Sequence, residues 1–333
     1  MFDTRLKLAL KGGGLDLTGK GPIAVVNVAP DTDLSPLDQD RLHVVDGFKP
    51  HFDQWKARGV QASVGLDGPY DAVLICLPRA KTEAHALIAR AMEVSSGTVL
   101  IDGQKTDGVD GILRDMRQRV PVEGPINKAH GKLFWCPSPA PDAFSDWNAG
   151  PTLTDGGFWT APGVFSADAI DPASALLVKA LPEYLGRHVG DLGAGWGFLS
   201  AHVLTRDTVE AIHLIEAGYM ALECAKRNVT DPRAVFHWAD ALTWQPPVPL
   251  DAIVMNPPFH LWRNPDPSIG QAFVEAAARI LSPQGHLWAV ANRHLPYEEK
   301  LSTCFARVEE IGGNPRFKIF HAARPLRSRA RSH

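Results

Sequence analysis

Four polar side chains sit where apolar runs stop in the second half of the chain. Asp191 opens a glycine turn, DLGAGWG, with glycines at Gly193, Gly195 and Gly197. Glu216 ends AIHLIE, Asp240 ends AVFHWAD, and Asn256 ends LDAIVMN and begins NPPFH. Each has a plain structural use: an acid can cap a helix, and Asn-Pro-Pro can simply end a strand. Their order suggests chemistry instead. Glycine admits positive φ and lets a ligand approach the backbone. A carboxylate before such a turn does not suit a pyrophosphate, but it does suit a ligand with a cationic amino group. Glu216, 25 residues beyond Asp191, is placed to accept both hydroxyls of a ribose diol. Asp240 can accept from an adenine amino group, with the Ala241 N–H beside it as a donor. Asn256 and Pro257 offer two carbonyl acceptors for the two hydrogens of a planar amine. Such a pair favours a pyramidal nitrogen and aims its lone pair. Pro258 stiffens the backbone and adds no competing donor. Phe259 offers a flat face for a base, worth about 1–3 kcal/mol in stacking.

The elements that must hold these groups alternate. Short apolar runs at HVGDL, AIHLIE, AVFHW, LDAIVM and GHLWAVAN read as strands. YMALECAKRNV and SIGQAFVEAAARIL read as helices, and FKIFHAAR as a late antiparallel strand at the sheet edge. Alternating β and α units imply a parallel sheet, and ligands of such sheets bind beyond the carboxyl ends of the strands.

The first half repeats this order. YDAVLICLPRA (70–80) aligns with LDAIVMNPPFH (250–260), matching Asp71 with Asp251 and Pro78 with Pro258. A helix, a strand and an aromatic strand follow in both, which argues for duplication. Cys76, Leu77 and Arg79 stand in for Asn256, Pro257 and Phe259, and IAVVNVAPDTDLS has no glycine turn. The first copy reads as a fold that lost its site. The stretch GLDLTGKG (14–21) falls short of a phosphate-binding loop, because Gly21 replaces the hydroxyl residue and no strand precedes it.

The net charge of −3 is spread evenly, 17 basic against 19 acidic residues in 1–150 and 17 against 18 in 151–333. Neither half is a basic module, so nucleic-acid binding requires a local patch such as the arginines of the tail RPLRSRARSH. No apolar run approaches the roughly 20 residues of a membrane span. Four separated cysteines and scattered histidines give no disulfide framework and no metal-ligand spacing.

The ordered set DLGAGWG, Glu216, AD and NPPF resembles the class I S-adenosylmethionine-dependent methyltransferases that act on amino groups. The degenerate first copy and the phrases PGVFS (162–166), NPPFH and RFKIFHAAR narrow the resemblance. They are similar to the bacterial small-subunit ribosomal RNA guanine-N2 methyltransferases of the C type and their large-subunit relatives. The resemblance implies two tandem Rossmann-like α/β domains, S-adenosylmethionine bound only in the second, and methylation of a guanine N2. It assigns Asp191, Gly193, Gly195, Gly197, Glu216, Asp240 and Ala241 to the donor, and Asn256, Pro257 and Phe259 to the base. Phe165 would cover the donor or serve as a plain core aromatic, while Trp196 would pack under the adjoining helix. NPPFH continues here as LWRNPDP, where the family often has an acidic residue and glycine, and this loop should border the base. The expected boundaries are a degenerate RNA-binding or structural domain at 1–148, a linker at 149–162, a catalytic domain at 163–323 and a basic tail at 324–333. The expected partner is ribosomal RNA or the 30S subunit, met in the cytoplasm by a monomer. Methylation of a protein glutamine amide and non-catalytic RNA binding are the rival functions.

Overall fold

The computed structural model describes residues 2–258, 260–261, 264–265 and 267–326. The chain divides into two compact units. One holds the residues up to Pro151 together with Ala161–Gly163, and the other Thr152–Thr160 with the residues from Val164 onward.

In the first unit, β1 (Ile23–Val26), β2 (Leu42–Val45), β3 (Gln61–Ser63), β4 (Tyr70–Cys76), β5 (Ser95–Gln104), β6 (Glu123–Lys128) and β7 (Gly131–Cys136) form one sheet. Its order is β3-β2-β1-β4-β5-β7-β6, with β7 antiparallel to both neighbours and the other pairs parallel. The central strands β1 and β4 are nearly continuous apolar runs because both faces are covered. Ala24, Val26, Val73 and Ile75 pack with Ile88 and Met92 of α3 (Lys81–Val94) and Ile112 of α4 (Val109–Arg117). Ile23, Val25, Ala72 and Leu74 pack with Leu6 of α1 (Phe2–Gly12) and Trp55 of α2 (Lys49–Ala57).

One charged pair lies inside this unit. Arg5 is fully buried, with Nε 2.6 Å and Nη2 2.7 Å from the two oxygens of Asp102, and Nη1 donates to the Lys128 carbonyl at 2.9 Å. Removing one partner strands the other charge in the core. Arg5→Ala is expected to destabilise the unit by about 3–5 kcal/mol, while Arg5→Met with Asp102→Leu is expected to be near neutral. Denaturant titration of the full chain followed by tryptophan fluorescence checks both.

In the second unit, the sheet contains β8 (His188–Leu192), β9 (Ala211–Glu216), β10 (Ala234–Trp238), β11 (Leu250–Met255), β12 (Leu281–Asn292), β13 (Phe305–Gly313) and β14 (Phe317–Pro325). The order, β10-β9-β8-β11-β12-β14-β13, is the permutation of the first unit repeated. Helices α5 (Pro172–Ala180), α6 (Phe198–Val203), α7 (Tyr219–Asn228), α8 (Pro267–Ile280) and α9 (Tyr297–Cys304) complete it. FKIFHAAR is the antiparallel β14, but it lies inside the sheet and not at its edge. The edge is β13, FARVEEIGG, largely solvent-exposed and carrying Arg307, Glu309 and Glu310. The apolar run marks the interior strand, and the charged edge strand gives no apolar signal to read.

The expected linker does more than connect. Thr152–Leu153 and Trp159–Thr160 pair as a short ribbon of the second unit. Trp159 N–H donates to Asn228 Oδ1 at 2.6 Å, and Asn228 Nδ2 donates to the carbonyls of Trp159 and Trp196, each at 2.8 Å. The end of α7 thus ties the ribbon to the glycine turn. Among the described residues, no helix is long and apolar enough to cross a membrane.

The aligned aspartates of the repeat do the same job in each unit. Asp251 Oδ2 accepts from the N–H groups of Arg187 and His188, at 2.8 and 3.0 Å, and so holds the entry to β8. Asp71 accepts from Gly21 N–H at the entry to β1.

Candidate active site

The turn after β8 is built from left-handed residues. Gly193, Gly195 and Gly197 have φ of 73°, 56° and 88°, conformations that cost an L side chain about 1–2 kcal/mol. The N–H groups of Gly193 and Ala194 donate to the Ile215 carbonyl at 2.9 and 3.1 Å. Register matches Val26 with Leu192 across the two units, so Asn27 is the counterpart of Gly193. It too has positive φ, 55°. Asparagine is one of the few side chains that tolerates this conformation. The first copy kept the bend and lost the open backbone.

Asp191 faces inward. It is fully buried, and its Oδ2 accepts from Ser200 Oγ of α6 at 2.7 Å. Oδ1 is buried without a hydrogen-bond partner. Its counterpart by register is Val25, inside an apolar cluster. Burial, with Glu216 adding a nearby negative charge, pushes the Asp191 carboxyl up to about 7. An unfolded aspartate ionises near 3.8, so the native state holds an extra proton between these values. The stability from that proton is complete at low pH and is lost as pH rises toward 7. Asp191→Asn keeps an acceptor for Ser200 and removes the charge. It is expected to stabilise the protein by about 2–4 kcal/mol above pH 7 and to change little near pH 4. Thermal unfolding at the two pH values checks this.

Glu216 closes β9. Its Oε2 accepts from Gly195 N–H at 2.8 Å and its Oε1 from Gly218 N–H at 2.6 Å, at the start of α7. Burial raises its pKa, opposed by the backbone donors of Gly218, Gly195 and Ala217. In the first unit Asp46 holds the matching position and accepts from Phe48 N–H at 2.8 Å before α2. Holding the backbone just ahead of the next helix is therefore common to both copies, whereas the contact to the glycine turn belongs to the second. Asp240 is half-buried and accepts from Leu242 N–H at 2.9 Å, and Ala241 is buried beside it.

Asn256 follows β11. Its Nδ2 donates to Asp171 Oδ2 and to Ser174 Oγ, both at 2.9 Å. A carboxylate only accepts, so the amide nitrogen must face Asp171. Both amide hydrogens are then used, and only the carbonyl oxygen is left for a ligand. Pro257 is buried next to it, and Phe259 lies outside the described residues.

Two clefts meet at this residue. The first, about 400 Å³, is lined by Gly193, Gly195, Trp196, Phe165, Asp171 and Asn256. The second, about 530 Å³, is lined by Asn256, Pro257, Asn292, Tyr297 and Arg316, and it shares Phe165 and Asp171 with the first. Asp191, Gly197, Glu216, Asp240 and Ala241 support the turn and strand ends without lining either cleft. Phe165 is 58% exposed over the junction, and Trp196 is buried with its Nε1 donating to the Phe165 carbonyl at 3.0 Å. Sequence reasoning missed Asp171 and Ser174. The signal was present in IDPAS: an aspartate before a helix, proline in its first turn, and a residue three positions on.

Comparison with known proteins places this geometry. The model of the methyltransferase small domain matches residues 155–321. Over 279 residues the chain is 29% identical to the ribosomal RNA small subunit methyltransferase C of Hahella chejuensis, covering 78% of this chain and 79% of that protein. It is 30% identical over 263 residues to the protein of the same name from Shewanella sp. (strain MR-4), covering 75% and 76%. It is 29% identical over 285 residues to the ribosomal RNA large subunit methyltransferase G of Pseudomonas syringae pv. tomato, covering 79% and 73%. Among solved structures it is similar in fold to the T. thermophilus 16S rRNA N2 G1207 methyltransferase in complex with AdoMet and guanosine. That match has a TM-score of 0.76 and 24% identity, covering 97% of this chain and 92% of that one. With half of its length matched by that model, the chain belongs to the methyltransferase small domain family.

Proposed function

We propose that this chain methylates the exocyclic N2 of a guanine in ribosomal RNA, with 16S RNA of the small subunit as substrate. The observation that carries the reading is the anchored Asn256 amide at the junction of the two clefts. The first cleft fits S-adenosylmethionine. Its lining includes backbone without Cβ at Gly193 and Gly195, the buried Asp191 Oδ1 two residues before the turn lacks a partner, and Glu216 stands at the next strand end. Asp191, Glu216, Asp240 and Ala241 would serve the donor from behind this cleft, by holding the turn and strand ends, and the glycine turn would accept its close approach. The bound donor supplies an electrophilic methyl group.

The chain's own residues then act on the acceptor. The Asn256 carbonyl and the Pro257 backbone carbonyl accept the two hydrogens of the base amine and turn its lone pair toward the first cleft. Fixed dipoles in place of water stabilise the positive charge that develops on the nitrogen. The alkylated amine is acidic and releases its proton without a strong base. Phe259 provides the stacking face, and the base must be single-stranded or flipped to enter. The first unit and the basic tail supply the grip on RNA, which weakens with salt. Both clefts are built by one unit of one chain, which supports action as a monomer, in the cytoplasm where ribosomal RNA is made.

The names of the C-type and G-type relatives make the RNA subunit the open comparison. Purified protein is incubated with labelled S-adenosylmethionine and unmodified 16S RNA, 23S RNA, 30S particles or protein extract, and the products are digested. Label in N2-methylguanosine from 16S RNA or 30S particles supports the proposal. Label in 23S RNA moves the substrate to the large subunit. Label in glutamine, or in nothing, refutes the proposal.

A further inference from the structure

The anchoring of Asn256 carries one more step, which rests on the reading above. Asp171 precedes α5, and its Oδ2 accepts from Ser174 N–H at 2.7 Å. That bond alone caps the helix. The same oxygen also takes one Asn256 amide hydrogen, while the largely buried Ser174 Oγ takes the other. The second set of bonds spans 85 and 82 residues of sequence and contributes nothing to starting the helix. A carboxylate against an amide N–H favours the resonance form with negative charge on the amide oxygen, and hydrogen bonds in series polarise one another.

We propose that Asp171 and Ser174 are positioning residues that lock the Asn256 carboxamide with its oxygen toward the clefts, and that the Asp171 charge strengthens this oxygen as an acceptor. The demand is greatest when the amine nitrogen turns positive, so the benefit falls on turnover and not on binding.

Asp171→Asn keeps the cap and the shape and removes the charge. It is expected to lower kcat about tenfold, and Ser174→Ala about threefold, as losses of charge-assisted and neutral hydrogen bonds. KM for RNA and donor affinity change less than kcat, and both variants stay folded. A second readout needs no turnover. The Asn256 side-chain amide resonance, identified by its loss in Asn256→Ala, shifts upfield in Asp171→Asn. Placed in the Asn256→Ala background, Asp171→Asn causes no further loss. Unchanged kcat in Asp171→Asn overturns the proposal, as does a full tenfold loss in the Asn256→Ala background, which means Asp171 acts directly. Wild-type turnover in Asn256→Ala overturns the parent reading as well, and this separates the two failures.

Discussion

Asn256→Ala is expected to lower turnover by about 10²–10³-fold, the size of effect seen when one preorganised dipole is removed from a charge-developing site. Donor affinity should stay within about twofold. The difference follows from where the side chain sits. Asn256 borders the first cleft together with the turn glycines, and its carboxamide is held by Asp171 and Ser174 of the same lining. Alanine deletes one acceptor for the amine and leaves Asp171 and Ser174 free to meet water. Asn256→Asp tests the geometry more finely. Both carboxylate oxygens are acceptors, so Asp171 is faced by a like charge, and the side chain must turn or take a proton. Activity in that variant is expected to fall nearly as far as in alanine, with partial recovery at lower pH. Isothermal titration with donor and single-turnover kinetics read the two effects separately. Loss of donor binding in a folded Asn256→Ala variant is the result that would falsify the assigned role.

Which parts of this arrangement were legible in the sequence depends on how local their cause is. The glycine turn was readable because positive φ restricts residue type wherever it occurs. The duplication was readable because Asp71 and Asp251 secure the same strand entry in each unit, so both copies kept the landmark whatever happened to the site. The equivalence of Asp46 and Glu216 was hidden, because different acids in unlike contexts share a position only once register is known. The edge strand Phe305–Gly313 was hidden because an exposed edge carries charges and no apolar alternation. Asp171 was missed because its cap signature is local while its bond to Asn256 joins positions 85 residues apart. Asp191 shows a subtler limit. The sequence marked it as an acid at a strand end, and the structure places it outside the lining of both clefts, fully buried and bonded to Ser200. The same burial that raises its pKa to about 7 leaves one oxygen free of protein partners, a cost to the fold.

The glycine turn gives the second large effect, and neighbouring glycines separate function from folding. Gly195 lines the first cleft, and a Cβ built there meets nothing within 4 Å. Gly197 is packed: a Cβ there falls 2.9 Å from Val229 Cγ2 and 3.4 Å from Ala225 Cβ. Both have φ in the left-handed region, 56° and 88°, so any side chain adds about 1–2 kcal/mol of backbone strain at either position. Only at Gly197 does a steric clash against α7 and its C-terminal flank add to it. Gly195→Val is therefore expected to leave a folded protein with a modestly lower melting temperature and donor affinity reduced by at least about 100-fold, because the side chain takes the space where backbone should meet ligand. Gly197→Val is expected to lose about 2–4 kcal/mol of stability, from strain plus overpacking. Its donor affinity, measured below its melting temperature, should fall less. Circular dichroism melts and donor titration on both variants decide the matter. Equal losses of affinity at the two positions would mean that the turn acts only as a strut, and that the donor is held away from its backbone.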